Sequence, residues 1–177
     1  MTFGTFRLQR KSVFRYPMDP APRTAVLAAC FRPTRFQAKS TIRLFPQGWS
    51  EEVAAFAPAA VAATREELLG LAAGDRPPAF THAVIVLESP GQMLSAGDRQ
   101  RLWRAFRVPV FEQIIGPRGE LLAAECEAHD GLHVEVPGRA WEGYRLELAP
   151  CGCGRTTPRL APPEAVERTR RTAAYAR

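Results

Sequence analysis

The sequence has few of the features that would place a protein in a membrane or outside the cell. It lacks any run of about 18 apolar residues, the length that a membrane-spanning helix needs. Its longest apolar stretches, Ala25–Cys30 and Ala83–Leu87, have the length of core strands. The basic N-terminus has no apolar segment typical of a signal peptide. The four cysteines, two of them two positions apart, do not resemble a disulfide framework. We therefore expect a cytoplasmic protein whose cysteines bind metal.

Lysine is scarce as well, since only two of the 24 basic residues are lysines. The net charge of +6 is unevenly distributed: residues 1–43 carry +8, residues 44–154 carry −6 and residues 155–177 carry +4. Basic ends can attract nucleic acid or an acidic protein surface. No nucleic-acid recognition motif accompanies them. A protein partner or a homo-oligomer is therefore the favoured expectation, and nucleic acid is the less favoured alternative.

The composition divides the chain into three parts. Residues 1–48 interleave aromatic and basic residues with five prolines, a pattern that excludes a long helix and predicts an extended segment with turns. Residues 49–160 predict a folded domain. Residues 161–177 alternate arginine and alanine with few large apolar side chains, and from Pro163 they predict a helix or a tail.

Helix and strand patterns alternate within residues 49–160. Ser50–Ala57 begins a helix that Pro58 interrupts, and Thr64–Glu67 is a capping box for a second helix ending near Ala73. The β-branched run His82–Glu88 predicts a buried strand. The remaining predictions are a helix that begins with the cap Ser95–Asp98 and ends at Phe106, and strands at Val108–Ile115, Glu120–Cys126, Leu132–Val136 and Tyr144–Leu148. This order predicts an α/β fold with a cluster of short strands at its end.

Cysteine and histidine in that strand cluster have the spacing of a metal site. Cys126 and His133 are followed by Cys151 and Cys153, and glycines flank Cys153 on both sides. Zinc prefers four nitrogen and sulfur ligands in a tetrahedron, and glycine lets the backbone turn its N–H groups toward the sulfurs. We therefore predict a closed zinc site of these four residues. His129 is the alternative imidazole.

Other interpretations of these side chains stay open. A pair of cysteines can also be two small buried apolar residues. Cys30 and His82 have no partners in the sequence, and each is predicted to be a packed core residue. Four protein ligands leave no open position for water, so the predicted zinc is structural rather than catalytic. Its binding free energy would be folding free energy, on the order of 10 kcal/mol in small zinc modules.

Two stretches around these residues resemble phenylacetate–coenzyme A ligases, a family of adenylate-forming enzymes. Residues 124–133 (AECEAHDGLH) and residues 151–160 (CGCGRTTPRL) carry the resemblance, and a weaker similarity extends upstream to Val53. The resemblance implies a partial, ligase-like α/β subdomain, with a small zinc-joined strand cluster and an extended basic N-terminal segment. In some members of the family the equivalent cysteines and histidine look like a zinc site.

The sequence departs from that family where the family binds nucleotide. Ser89–Gln92 is too short for the phosphate-binding loop and lacks its lysine, and Phe111–Gly116 stands where the family has YGxTE. The ribose-binding aspartate expected after Tyr144 is absent, and the chain ends about 17 residues after Leu160, which leaves no room for the domain that carries the catalytic lysine. Losing one charge-stabilising group typically lowers a rate by two to three orders of magnitude.

These departures predict a non-catalytic accessory subunit or scaffold with structural zinc that acts through protein contacts. The alternative is an enzyme, either a subunit that completes a ligase in trans or a new activity in the old acyl pocket. Its candidate residues would be His82, Glu88 and Glu112, although Glu112 is out of register with the family's glutamate. No set of nucleophile, base and orienting group is visible among them.

Overall fold

The computed structural model describes residues 14–27, 41–137 and 141–161. Cys30 and the predicted C-terminal helix lie outside these residues. Within the described ranges the chain forms three helices and nine strands. In chain order they are β1 Thr24–Leu27, β2 Ile42–Leu44, α1 Glu51–Phe56, β3 Ala60–Thr64, α2 Arg65–Ala73, β4 Ala83–Glu88, α3 Ala96–Phe106, β5 Val110–Ile115, β6 Leu121–Glu125, β7 Leu132–Val134, β8 Arg145–Glu147 and β9 Arg159–Ala161.

All nine strands belong to one mixed sheet with the order β2-β1-β3-β4-β5-β6-β7-β9-β8. The first five strands in this order are parallel, and every pairing from β5–β6 onward is antiparallel. β5 therefore joins a parallel half to an antiparallel half, with Glu112 paired to Val86 of β4 and Gln113 paired to Ala124 of β6. The parallel strands are rich in alanine, valine and isoleucine, as expected for strands covered on both faces.

The three helices cover one face of the parallel half. Each buries apolar side chains against the strands: Val53 from α1, Leu68 from α2, and Leu102 and Phe106 from α3. The α2 helix starts directly after β3, where the side chain of Thr64 accepts a hydrogen bond from the Glu67 N–H and the Glu67 carboxylate accepts one from the Thr64 N–H. The predicted capping box is thereby confirmed.

The opposite face of the sheet is covered by residues 14–21, which we call the N-terminal strap. Phe14 and Tyr16 are buried against side chains of β1, β3, β4 and β5. The strap is tied to the sheet by Gln113, whose side-chain amide donates to the Arg15 carbonyl, and by an ion pair between Arg15 and Glu135. Part of the segment that the composition set apart therefore contributes to the same core, and β1 and β2 lie in the same sheet.

The antiparallel half is held together by two local features. Gly131 has φ +83°, and a Cβ atom at this position would lie 2.7 Å from the Leu160 carbonyl oxygen, so β7 and β9 approach too closely for any side chain there. Arg159 is 3% exposed and pairs with Asp130 and Glu147. Its guanidinium thereby connects the loop before β7 to the end of β8.

Most elements predicted from 49–160 are confirmed with small shifts of their ends. The helices agree within one or two residues, and the predicted strands correspond to β4, β5, β6, β7 and β8. Three strands had no prediction: β2, β3 and β9. β1 overlaps the apolar stretch Ala25–Cys30, which has the length of a core strand. In the part of the chain that the structure describes, no helix combines the length and the apolar character needed to cross a membrane.

Candidate metal centre

The four predicted metal ligands come from three neighbouring parts of the antiparallel half. Cys126 directly follows β6, His133 lies in the middle of β7, and Cys151 and Cys153 lie in the turn that precedes β9. Because β7 pairs with β6 on one side and with β9 on the other, the sheet brings these parts together. The structure therefore places residues separated by up to 27 positions in one cluster.

The ligand atoms of the four residues all lie within 4.8 Å of one another. The Sγ atoms of Cys126 and Cys151 are 3.6 Å apart, and Cys153 Sγ is 3.4 Å from His133 Nε2. In a tetrahedron with Zn–S near 2.3 Å and Zn–N near 2.05 Å, the sulfur–sulfur edge is about 3.8 Å and the sulfur–nitrogen edge about 3.6 Å. The observed separations agree with these edges within about 0.2 Å and far exceed the disulfide bond length of about 2.05 Å. The cluster can therefore hold a metal ion.

The His133 ring is oriented by a contact on its far side. The ring is completely buried, and its Nδ1 lies 2.8 Å from the Thr157 hydroxyl oxygen. When Nδ1–H donates to this oxygen, the Nε2 lone pair faces Cys153 and is free to bind a metal. Burial, followed by the nearby Arg155 guanidinium, lowers the pKa of His133. Both effects favour the neutral imidazole, which is the form that binds metal.

The cysteine sulfurs differ in their surroundings. Burial raises the pKa of the Cys126 thiol to about 12, against the effect of a hydrogen bond from the Ala128 N–H. A hydrogen bond from the Arg155 N–H lowers the pKa of the Cys153 thiol. In both turns the donor is the N–H group two residues after the cysteine. For Cys153 this agrees with the prediction that backbone N–H groups turn toward the glycine-flanked sulfur. A bound cation would stabilise the buried thiolate that burial alone disfavours.

Neither other histidine joins the cluster. His129 Nδ1 lies 3.1 Å from a Glu125 carboxylate oxygen, and the His129 ring stacks on Phe111 with centroids 4.6 Å apart. The alternative imidazole therefore belongs to a different set of contacts. The prediction that His82 is a packed core residue is wrong, because its side chain is exposed. His82 precedes β4, and its N–H donates to the Ala59 carbonyl at the start of the sheet.

A pair of buried carboxyl groups lies beside the helix α3, and no sequence pattern predicted that the two would meet. Glu112 and Glu125 are 2% and 6% exposed. Both Nη atoms of Arg99 are 3.1 Å from Glu125, and one of them is 3.7 Å from Glu112. Burial raises the pKa of Glu112 to about 7. The two glutamates lie on different strands, so only knowledge of the β5–β6 register could have predicted that they are adjacent.

The three residues that were candidates for an enzymatic site, His82, Glu88 and Glu112, do not lie together in one site. His82 and Glu88 lie at opposite ends of β4, and Glu88 pairs with Arg65 at 3.5 Å. Glu112 instead faces a cleft of about 820 Å³ between α3 and the antiparallel half, which Arg99, Trp103 and His129 also line. The enzymatic alternative therefore relates to this cleft.

Comparison with known proteins adds no relationship. No family model matches the chain, and no curated protein matches it.

Proposed function

We propose that this protein is a zinc-binding scaffold or accessory subunit that acts through protein–protein contacts, and that it descends from a phenylacetate–coenzyme A ligase-like enzyme. The observation that carries the proposal is the cluster of Cys126, His133, Cys151 and Cys153, with ligand atoms within 4.8 Å of one another. Four protein ligands complete a tetrahedron, so the ion has a structural rather than a catalytic role.

The donor set supports zinc among the common metals. Three thiolates and one imidazole are soft and borderline ligands, which disfavour magnesium and calcium. The one sulfur–sulfur separation and the one sulfur–nitrogen separation both fit a tetrahedron, the geometry that structural zinc sites almost always adopt. The ion would join the end of β6, the middle of β7 and the turn before β9. These strands have only three to five residues each, so the metal would supply much of the stability of this half.

The outer edge of the antiparallel half supports a role in protein contacts. β8 is the last strand in the sheet order, so one side of it has no partner strand among the described residues. Leu146 in this strand is 50% exposed, and Leu148 directly after it is 75% exposed. An edge strand with exposed leucines can pair with a strand of another chain. We therefore assign the partner contact to β8 and residue Leu148.

The enzymatic alternative is favoured by one specific observation. The cleft beside α3 has a volume of about 820 Å³ and contains the buried carboxyl of Glu112, whose pKa is raised to about 7. A carboxyl with such a pKa can act as a general acid or base near neutral pH. The proposed scaffold and this alternative make opposite predictions for adenylation: a ligase relative supplied with a carboxylic acid and ATP would exchange pyrophosphate.

Metal analysis with histidine variants tests the zinc assignment. The purified full chain should contain about one zinc per molecule, measured by mass spectrometry of the element. His133→Gln should lose most of this zinc and melt at a lower temperature. His82→Gln and His129→Gln are matched controls and should retain it. Retention of zinc by His133→Gln, or its loss from His129→Gln, would contradict the ligand set.

Two further measurements test the scaffold role. Light scattering and native-cell capture should find the wild-type chain in a stoichiometric assembly with itself or another protein. Leu148→Glu should weaken this assembly without changing the zinc content, whereas the exposed control Glu142→Gln should leave it intact. Pyrophosphate exchange that depends on a carboxylic acid, catalysed by the isolated chain, would overturn the scaffold proposal in favour of the enzyme.

A further inference from the structure

The strand β8, at the outer edge of the antiparallel half, has a sequence that is complementary to itself. It consists of Arg145, Leu146 and Glu147, and among the strands that the structure describes it pairs with β9 alone. When two copies of β8 run antiparallel with Leu146 opposite Leu146, Arg145 of each copy lies opposite Glu147 of the other. Opposite charges that face each other across two strands stabilise their pairing, whereas like charges destabilise it.

The side chains of β8 are accessible to a second chain. Those of Arg145 and Glu147 are 39% and 27% exposed, and Leu146 is 50% exposed. Within the strand, the Arg145 guanidinium donates to one carboxylate oxygen of Glu147 at 2.7 Å. A guanidinium has five N–H donors, and each carboxylate oxygen can accept two hydrogen bonds. A contact across the two strands can therefore add to this ion pair without breaking it.

Leu146 lies on the face of the sheet that carries the apolar cluster of the antiparallel half. It is paired with Leu160 of β9, and residues directly opposite each other in paired strands share a face. Leu160 is completely buried in a cluster with Ile114, Leu122 and Leu132. A second copy in the register described above would place its own Leu146 beside the first and continue this apolar layer across the edge.

Other arrangements of two β8 strands lack this double match. Parallel pairing in register would bring Arg145 opposite Arg145 and Glu147 opposite Glu147. An antiparallel register centred on either charged residue would place like charges opposite each other at the two-fold axis. A shift by one residue would move the leucine to the other face of the sheet. The sequence of β8 therefore favours one two-fold arrangement, the commonest symmetry of protein dimers.

We propose that β8 pairs with β8 of a second copy of this chain, antiparallel and centred on Leu146, so that two sheets join into one. This inference rests on the proposed scaffold function, which assigns the partner contact to β8, and it identifies the partner as a second copy of the chain. The pairing covers a sheet edge that would otherwise be open to aggregation. Because β8 has only three residues, the interface is small, and we expect a dimer that dissociates on dilution.

Disulfide crosslinking of the zinc-loaded full chain tests the register. At the two-fold axis the Cα atoms of opposite residues are about 4.5 or 5.5 Å apart, within the range of about 4.4–6.8 Å that a disulfide spans. Leu146→Cys should therefore form a covalent dimer in glutathione buffer, and mass spectrometry should locate the bond at this position. The wild type, oxidised in parallel, accounts for crosslinks through the native cysteines.

Leu148→Cys is the matched control for the crosslink. Leu148 directly follows β8 and is 75% exposed, so its thiol would be at least as accessible as that of Leu146→Cys. In the proposed register, however, the two copies of this position are four residues apart along the strands, about 13 Å, which a disulfide cannot span. Leu148→Cys should therefore remain largely uncrosslinked.

Charge reversal tests the two ion pairs across the strands. Arg145→Glu and Glu147→Arg each create two like-charged pairs in the dimer, so each should raise the dissociation constant about tenfold in analytical ultracentrifugation. An equal mixture of the two variants restores opposite charges at both positions and should form a heterodimer. The control Arg118→Glu reverses a charge in an exposed pair with Glu120 far from β8, and it should leave the dimer intact.

The folding of the charge variants is checked by zinc content and melting temperature, because Glu147 also contacts the buried Arg159 at 3.4 Å. If either variant is unfolded, the crosslinking comparison alone decides. Equal crosslinking of Leu146→Cys and Leu148→Cys would overturn the proposed register. Two folded charge variants that stay monomeric when mixed would exclude the ion pairs across the strands.

A wild-type chain that remains monomeric up to its solubility limit would overturn the proposed dimer. The scaffold function would still stand if this monomer were captured with another protein and Leu148→Glu abolished the capture. Pyrophosphate exchange by the isolated chain would instead overturn the scaffold function, while the crosslink at Leu146→Cys would still report whether the dimer forms. The two failures are therefore distinguishable.

Discussion

The buried carboxyl of Glu112 leads to the most quantitative prediction from this structure, tested by the variant Glu112→Gln. The side chain is 3% exposed, and one carboxylate oxygen accepts from the Leu94 N–H at 2.9 Å. Arg99 lies 3.7 Å from the other oxygen but is closer to Glu125, at 3.1 Å. One guanidinium thus serves two buried carboxyl groups. Burial is the main cause that raises the pKa of Glu112 from 4.5 to about 7.

The direction of the pH effect follows from this raised pKa. Between pH 4.5 and about 7 the folded protein keeps a proton on Glu112 that the unfolded chain releases. Stability from the neutral carboxyl is therefore complete below pH 4.5 and is lost as the pH rises toward 7. Relative to a side chain that is always neutral, Glu112 costs about 1 kcal/mol at pH 5 and about 3 kcal/mol at pH 8.

Glutamine has nearly the same shape as glutamate and does not ionise. The free energy of unfolding of Glu112→Gln, minus that of the wild type, should therefore increase by about 2 kcal/mol from pH 5 to pH 8. Urea unfolding of both proteins at the two pH values measures this difference. Comparing variant with wild type at each pH cancels the pH dependence that both proteins share, including that of the candidate metal centre.

The exposed Glu142 supplies the control, since Glu142→Gln should show no such trend with pH. A stability difference for Glu112→Gln that is the same at both pH values would refute the reasoning. It would mean that Glu112 is ionised in the folded protein and that Arg99 compensates both carboxylates.

Three further substitutions test the packing of the site and the fold. Gly131→Ala should destabilise the protein by about 2 kcal/mol in urea unfolding, because its Cβ would lie 2.7 Å from the Leu160 carbonyl oxygen. Gly143→Ala is the control: Gly143 has a similar positive φ but open space around it, so the substitution should cost about 1 kcal/mol. Equal destabilisation by the two substitutions would exclude the close contact at Gly131. Arg159→Met should cost about 2 kcal/mol by leaving two carboxylates without their buried partner, and a stability gain would show that these ion pairs are replaceable. Thr64→Ala removes the capping box of α2 and should lower the unfolding free energy by about 1 kcal/mol, whereas an unchanged value would mean that tertiary packing alone holds the helix end.

The features that sequence predicted well are those coded within a few neighbouring residues. The capping box Thr64–Glu67 and the cap at Ser95 depend on contacts three residues apart, and both are present. The two glycine-flanked cysteines similarly specify a tight turn by themselves. Predicting that these two cysteines form one site with Cys126 and His133 required only one assumption: that the strands next to the four residues are neighbours in the sheet.

The strands without a prediction depend on distant partners instead. β3 consists of Ala60, Val61, Ala62, Ala63 and Thr64, residues that favour helix as much as strand. It becomes a strand because β1 and β4 pair with it on both sides and the small side chains fit beneath the helices. β9 has only three residues and forms between β7 and β8. Patterns within the sequence carry no record of these pairings.

The same limit explains the histidines and the carboxyl pair. His82 is the first residue of the predicted buried strand His82–Glu88, but β4 begins one residue later, at Ala83, and the His82 side chain is exposed. Glu112 and Glu125 are thirteen residues apart and meet only because β5 and β6 are antiparallel neighbours. The imidazole of His129 was equally plausible as a ligand by spacing. Its contact with Glu125 depends on the conformation of the loop after β6, which could not be predicted from the sequence.

The insertion of β9 between β7 and β8 affects how the protein is made. Among the strands that the structure describes, β8 pairs with β9 alone, and on the ribosome it emerges before its partner residues Arg159–Ala161. Cys126 and His133 likewise leave the exit tunnel well before Cys151 and Cys153. A nascent chain arrested between these residues would expose the edge of β7 together with half of the candidate metal centre. Translation speed across this stretch therefore sets how long that incomplete surface is open to aggregation.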